Sequence, residues 1–197
     1  SQADGAASPA DSPSAAGQSA AALPTSSISG FSLYDLGSTW RDQRGDTLAL
    51  AQLAGRIRVV ALVYTSCHTA CPAIVADMKR IESAIPAERR DDVGFVLISL
   101  DPARDTPGRL AEWADDNKLD QARWTLLNGS DDAVREFAAS LDIRYQTLPD
   151  GEVAHANVIT VLDTTGAVVH QQVTLGPETA ATAALVNRLL DAGNHGS

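Results

Sequence analysis

Residues 58–75 read RVVALVYTSCHTACPAIV, and this stretch decides the fold. Its first part, Arg58 to Tyr64, reads as a buried strand, built on VVALVY (59–64), an apolar run of strand length and the pattern of a strand covered on both faces. Its second part holds the only two cysteines of the chain, Cys67 and Cys71, separated by three residues. Pro72 is expected to open a helix, since the first turn has no use for its missing N–H. Ile74, Val75, Met78, Ile81 and Ile85 then follow at helical spacing, so the helix should run to about Ile85. Both sulfurs would lie near the helix N-terminus, where partial positive charge favours thiolates.

The remaining chain alternates short β-like runs with amphipathic stretches, as an α/β domain does. FSLYDL (31–36) and DTLAL (46–50) flank a polar turn with Gly45 and read as a hairpin. Val93 to Leu100 is a second buried strand. In DPARDTPGRLAEW, Thr106 is the expected N-cap and Pro107 the first helical residue. Trp124 to Leu127 is a short strand, Asp131 to Leu141 a helix, and Asn157 to Asp163 another strand. Thr165-Gly166 turns that strand into Ala167 to Gln171, and a helix from Pro177 to about Ala192 closes the domain. This order predicts a thioredoxin-like α/β fold with an N-terminal β-hairpin extension and a central insertion.

Residues 1–27 are rich in Ser, Ala, Gly and Pro, with no aromatic before Phe31. Such a segment cannot offset its ordering entropy by burial, so a flexible linker is expected there, ahead of a folded domain over 28–193 and a disordered tail over 194–197. The linker reads as a tether whose membrane anchor or signal is absent from this sequence, which places the domain in the periplasm or otherwise outside the cytoplasm. A net charge of −10 argues against nucleic acid as a partner, since phosphate binding needs clustered Lys and Arg. No apolar run approaches the roughly 20 residues of a spanning helix. Nothing demands more than a monomer.

The two thiols have three readings: a structural disulfide, a redox pair, or half of a metal site. A bridge enclosing three residues removes little entropy from the unfolded chain. A structural zinc site takes four protein ligands, and no second cysteine pair exists. Of the four histidines, His195 lies at the end of the chain and His170 near the end of a strand, where surface is expected. His155 stands just before NVITVLD, separated from it by Ala156. In a thioredoxin-like fold the loop entering that strand passes the N-terminus of the cysteine-bearing helix. His68, between the cysteines, could ligate, tune the thiolates or face water.

Three stretches in order, YTSCHTACP, ISLDPARDTP and AHANVITVLD, resemble the Sco/SenC proteins, thioredoxin-fold copper-binding proteins associated with assembly of the copper centre of cytochrome c oxidase. The resemblance spans about Gly30 to His170. It implies a copper site of Cys67, Cys71 and His155, a sulfur-rich set that suits Cu(I) and, with a further ligand, Cu(II). Asp101 and Asp105 fall in the DPARDTP stretch. Turn and cap chemistry is one reading of them; orientation of the ligands or partner docking is the other. The chain departs from the family pattern at His68, where proline is usual, and at Thr69, where an acidic residue is common. These departures bear on copper affinity, oxidation state and redox potential, and a protonated His68 would favour thiolates.

The function implied is an extracytoplasmic metallochaperone that passes copper to the copper-binding subunit of cytochrome c oxidase, with a copper donor chaperone upstream. The alternative is a thiol–disulfide oxidoreductase, with Cys67 and Cys71 as its redox pair and a thiol–disulfide reductant as partner, that keeps the oxidase subunit's ligand cysteines reduced. A third reading is a redox or copper sensor.

Overall fold

The computed structural model describes residues 30–193; the expected linker, the expected tail and His195 lie outside them. The N-terminal hairpin is present, but with a different first strand. It pairs β1 (Thr39–Asp42) with β2 (Thr47–Ala49). Asp42 makes the turn, its carboxylate accepting from the amides of Arg44 and Asp46 at 2.9 Å each, and Gly45 takes the left-handed φ of +89° that the turn requires. FSLYDL is not a strand. Leu33–Asp35 winds into a 3₁₀ turn capped by Ser32, whose hydroxyl accepts from Tyr34 N–H. Ser32 also donates to Thr165 O at 2.6 Å, and Leu33 N–H to Gly166 O at 3.0 Å, so local capping and the distant turn outweigh the alternating pattern.

β3 (Ile57–Val63) is buried at every residue, as its composition predicts. α1 (Ala70–Ser83) follows it, with Thr69 at the N-cap position but making no side-chain capping bond, so the helix opens two residues before Pro72 and ends two before Ile85. Pro72 still sits in the first turn, among amides without an intrahelical partner. α1 buries Cys71, Ile74, Val75, Met78 and Ile81. β4 (Val93–Ser99), also buried throughout, runs parallel to β3 from Ile57↔Val93 to Val63↔Ser99, with α1 as the crossover between them.

The central insertion comprises α2 (Pro107–Asp116), β5 (Trp124–Asn128), α3 (Asp131–Ser140) and a separate two-stranded sheet of β6 (Tyr145–Thr147) and β7 (Val153–His155). Thr106 caps α2 as predicted, its Oγ1 accepting from Arg109 N–H. β8 (Ile159–Leu162) lies antiparallel to β3, β9 (Val168–Gln172) antiparallel to β8, and α4 (Thr179–Gly193) packs beside α1. The main sheet has the order β2-β1-β5-β4-β3-β8-β9. Its β3–α1–β4 and β8–β9–α4 units form the thioredoxin-like core. β5 extends that sheet on the β4 side, and the hairpin docks on β5. Among the described residues no helix is long and apolar enough to cross a membrane.

Candidate metal centre

The site forms where β3 and β4 end, the edge at which parallel strands leave their C-terminal groups free. Beyond Val63 the chain turns through Tyr64–Ser66, closed by a bond from Cys67 N–H to Tyr64 O at 3.1 Å. Cys67 is 5% exposed and Cys71 fully buried; both are free thiols. The Cys71 amide in the first turn of α1 donates to Cys67 Sγ at 3.3 Å. Burial opposes charge on Cys67. The N–H groups of Cys71 and Thr69, the Cys71 thiol and the Tyr64 hydroxyl outweigh it and hold the Cys67 thiol below the ordinary cysteine range. Cys71 is pushed the other way, by burial first and then by its bond to Cys67 and the charges of Cys67 and Asp105. The pair is therefore one sulfur favoured as thiolate in contact with one whose ionisation is opposed.

The DPARDTP stretch braces this turn from beneath. Asp105 is buried, and its carboxylate accepts from Thr65 N–H at 3.1 Å, Thr65 Oγ1 at 2.5 Å and Ser99 Oγ at 2.6 Å. It thus ties the residue two before Cys67 to the end of β4. Asp101 pairs with Arg104, and its N–H donates to Ser99 Oγ at 3.0 Å. Arg104 also donates to Gly151 O at 2.7 Å, in the turn between β6 and β7. Asn128, at the end of β5, donates to the carbonyls of Pro102 and Asp105 at 2.8 Å each.

His155 is not in a loop but ends β7, opposite Tyr145. Its Nδ1 lies 3.0 Å from Ala156 O, a pairing in which Nδ1 carries the proton and Nε2 keeps its lone pair. Nε2 is buried and has no partner among the described residues. Burial lowers the affinity of the ring for a second proton. Tyr64 stands edge-on to the imidazole with centroids 6.1 Å apart. The Tyr64 hydroxyl donates to Glu152 Oε2 at 2.7 Å and accepts from Val153 N–H at 3.4 Å, which anchors the hairpin to the end of β3. Cys67 and His155 line one cavity of about 360 Å³, with Tyr64, Thr69, Glu152 and Asn157.

The fold thus brings Cys67 and Cys71 into contact and places His155 and Cys67 on the lining of one cavity, which does not include Cys71. Among the described residues no three His, Cys, Asp or Glu side chains stand close enough to hold a metal ion as they lie. The donor chemistry nevertheless fits a soft metal: a thiolate-prone sulfur, a second thiol, and an imidazole nitrogen with a free lone pair in a buried place. His68 is exposed and makes no side-chain hydrogen bond among the described residues. His170 is not on the bare surface; it is half-buried, 3.1 Å from Thr182 Oγ1. Sequence reasoning missed Tyr64, Glu152 and Asn157. Tyr64 belongs to the cysteine stretch itself, and a buried hydroxyl there needs a partner.

The thioredoxin-like core and its paired thiols define the class. The SCO1/SenC family profile matches residues 35–190, and the chain belongs to that family. It is 30% identical over 115 residues to the SCO1 protein homolog of Bacillus subtilis, covering 58% of this chain and 59% of the homologue. It is 27% identical over 131 residues to a Stutzerimonas stutzeri protein named for copper binding, covering 64% and 63% of the two chains. The chain thus matches less than two thirds of the length of these curated relatives. The crystal structure of a SCO1/SenC family lipoprotein from Bacillus anthracis superimposes with a TM-score of 0.71 at 25% identity, covering 79% of this chain and 95% of that one.

Proposed function

We propose that this protein is a copper-binding assembly factor that carries copper as cargo on Cys67, Cys71 and His155 and delivers it to the copper-binding subunit of cytochrome c oxidase. Family membership and the copper-binding relative support the cargo. The observation that carries the site is the buried, unpartnered Nε2 of His155 on the wall of the cavity that Cys67 also lines. An acceptor buried without a partner costs about 1–3 kcal/mol, a cost that an electropositive guest removes. The chain's own part is to present the thiolate of Cys67 before the N-terminus of α1, to keep the Cys71 thiol in contact with it, and to hold the His155 tautomer through Ala156 O. Bound copper would supply the acceptor that all three donors lack.

A copper donor chaperone upstream and a thiol reductant complete the partners of this reading. The lipoprotein relative supports an extracytoplasmic, membrane-tethered setting, with residues 1–27 as the tether. Nucleic acid has no part in it, and a monomer suffices. Titration of the reduced protein with copper tests the site. We expect one tightly held copper per chain with sulfur-to-Cu(II) charge-transfer absorption, weakened at least tenfold in affinity by His155→Ala. A mutant that binds as tightly as the wild type removes His155 from the ligand set.

The opposite shifts of Cys67 and Cys71 favour a second reading in the same molecule. The Cys67 thiolate attacks a disulfide sulfur of a partner protein, and one partner sulfur leaves as a thiolate. The Cys71 thiol then loses its proton and displaces the second partner sulfur from the mixed disulfide. The partner is reduced by two electrons and the Cys67–Cys71 pair is oxidised to a disulfide. Turnover that survives His155→Ala but is lost in Cys67→Ser or Cys71→Ser supports this reading.

A further inference from the structure

Two buried side-chain polar atoms lack a partner among the described residues: Nε2 of His155 and Oδ1 of Asn157. They lie two residues apart along the chain, and both residues line the same cavity, with Cys67 on it as well. Elsewhere the described buried polar groups are paired, including the dense network of Asp77, Gln172, Thr179 and Thr182 between α1, β9 and α4. The chain spends its unpaired acceptors in one place. Both orphans are lone-pair donors, so the guest they fit is a cation or a hydrogen-bond donor, and a second carboxylate or backbone carbonyl would not satisfy them.

We infer that Asn157 Oδ1 is a fourth donor to copper, one that acts on the Cu(II) state. The inference rests on the copper site proposed above. Two sulfurs and one imidazole satisfy Cu(I), which is soft and content with three ligands. Cu(II) prefers a tetragonal set with harder nitrogen and oxygen donors. Amide oxygen is a known weak ligand in thiolate–copper sites, where a glutamine can take the axial place. A neutral amide adds oxygen without adding charge beside the thiolates. It therefore stabilises the oxidised metal selectively and lowers the reduction potential of the site.

The rival explanation is one structural water that donates its two hydrogens to His155 Nε2 and Asn157 Oδ1. It makes a different forecast, because removing Asn157 would then leave both copper states alone. The experiment compares the wild type with Asn157→Ala and Asn157→Asp. Apo stability comes first: Asn157 makes no side-chain hydrogen bond among the described residues, so Asn157→Ala should unfold no earlier than the wild type. Each protein is then titrated with Cu(I) against a competing chelator, titrated with Cu(II), and examined by EPR in H₂¹⁷O.

For Asn157→Ala we expect Cu(I) affinity within about twofold of wild type and Cu(II) affinity at least tenfold weaker. By the one-electron conversion a tenfold selective loss raises the potential by about 59 mV. The Cu(II) hyperfine coupling should change, and ¹⁷O broadening should appear as water takes the freed position. Asn157→Asp, which keeps an oxygen, should restore Cu(II) affinity. Unchanged Cu(II) affinity and EPR in Asn157→Ala, with wild-type copper binding intact, overturns this inference alone. A wild type that binds no copper overturns the site itself.

Discussion

Replacing Asp105 with alanine tests how the cysteine turn is held. The carboxylate accepts three bonds, two on Oδ2 from Thr65 N–H and Ser99 Oγ and one on Oδ1 from Thr65 Oγ1. Alanine strands a buried amide and leaves two hydroxyls to find other acceptors. Each hydrogen bond to a charged acceptor contributes about 1.5–3 kcal/mol, but the two hydroxyls can rotate and recover part of theirs, so Asp105→Ala should cost about 3–5 kcal/mol. Asp105→Asn keeps one oxygen where two donors converge, and its new N–H₂ can donate to Thr65 Oγ1; the expected cost is about 1–2 kcal/mol. A domain of ordinary stability, about 5–15 kcal/mol, survives either change. Urea unfolding of the reduced apo-protein reads both numbers, with an unchanged slope as the check on two-state behaviour. The same variants should let the Cys67 thiol rise toward the ordinary range, followed by thiolate absorbance, because Thr65 sets the approach of Cys67 Sγ to the Cys71 amide. If Asp105→Ala unfolds within about 0.5 kcal/mol of wild type, the surface-substitution range, the brace is not what positions the turn.

At neutral pH alkylation of the folded, reduced protein should modify Cys67 well before Cys71, with a pH midpoint below the roughly 8.5 of a free cysteine; mass spectrometry of the peptide 58–79 decides it, and equal rates refute the asymmetry. Cys67 has a depressed folded pKa, so its contribution to stability is full above the unfolded value and lost as pH falls through the folded one. Cys71, raised, contributes below the unfolded value and loses it as pH rises toward the folded one. His155 is depressed by burial, so stability should decline as pH falls from about 6.5 through the folded value of the ring, a slope absent in His155→Gln when both are unfolded in urea between pH 5 and 7. Tyr64→Phe keeps the ring against His155 but loses the bonds to Glu152 and Val153; about 1 kcal/mol should go, with faster hydrogen exchange confined to residues 145–155, and unchanged exchange there would free the hairpin from Tyr64.

The core was legible because long-range burial and local pattern agree in it. β3 and β4 are seven-residue strands dominated by apolar residues, with Arg58 and Ser99 the exceptions, and a doubly covered strand suits them. Thr106-Pro107 carries both the cap and the first turn of α2, and the structure uses both. The misread elements are those set by partners distant in sequence. Phe31 to Leu36 alternates like a strand, yet Thr165 and Gly166 hold it as a capped 3₁₀ turn. β6 and β7 are three residues each, too short for any periodicity to register, and their pairing hangs on Tyr64 and Arg104. The thiols announced themselves by their spacing. The lone pair of His155 and the orphaned oxygen of Asn157 could not, since a missing partner is visible only once every neighbour is in place.

The two walls of the site differ in how they are built. The thiol wall stands on β3, β4 and α1, with Asp105 beneath it and Cys71 wholly buried, so moving it means disturbing the core. The histidine wall is a two-stranded hairpin outside the main sheet, tied by the Tyr64–Glu152 and Tyr64–Val153 bonds, the Arg104–Gly151 bond and Ala156 N–H to Arg144 O at 3.4 Å. As they lie, the donors do not close on a metal ion. Drawing them together is cheapest at the hairpin, where a few hydrogen bonds of about 1 kcal/mol each must adjust rather than a packed sheet. It follows that the two chemistries separate by wall. Changes on the histidine side should leave a competent thiol pair, with His155→Ala weakening copper binding as a whole and Asn157→Ala weakening the Cu(II) form. Changes beneath the turn, at Asp105 or Thr65, should damage both, because each depends on the thiolate of Cys67 standing at the first turn of α1.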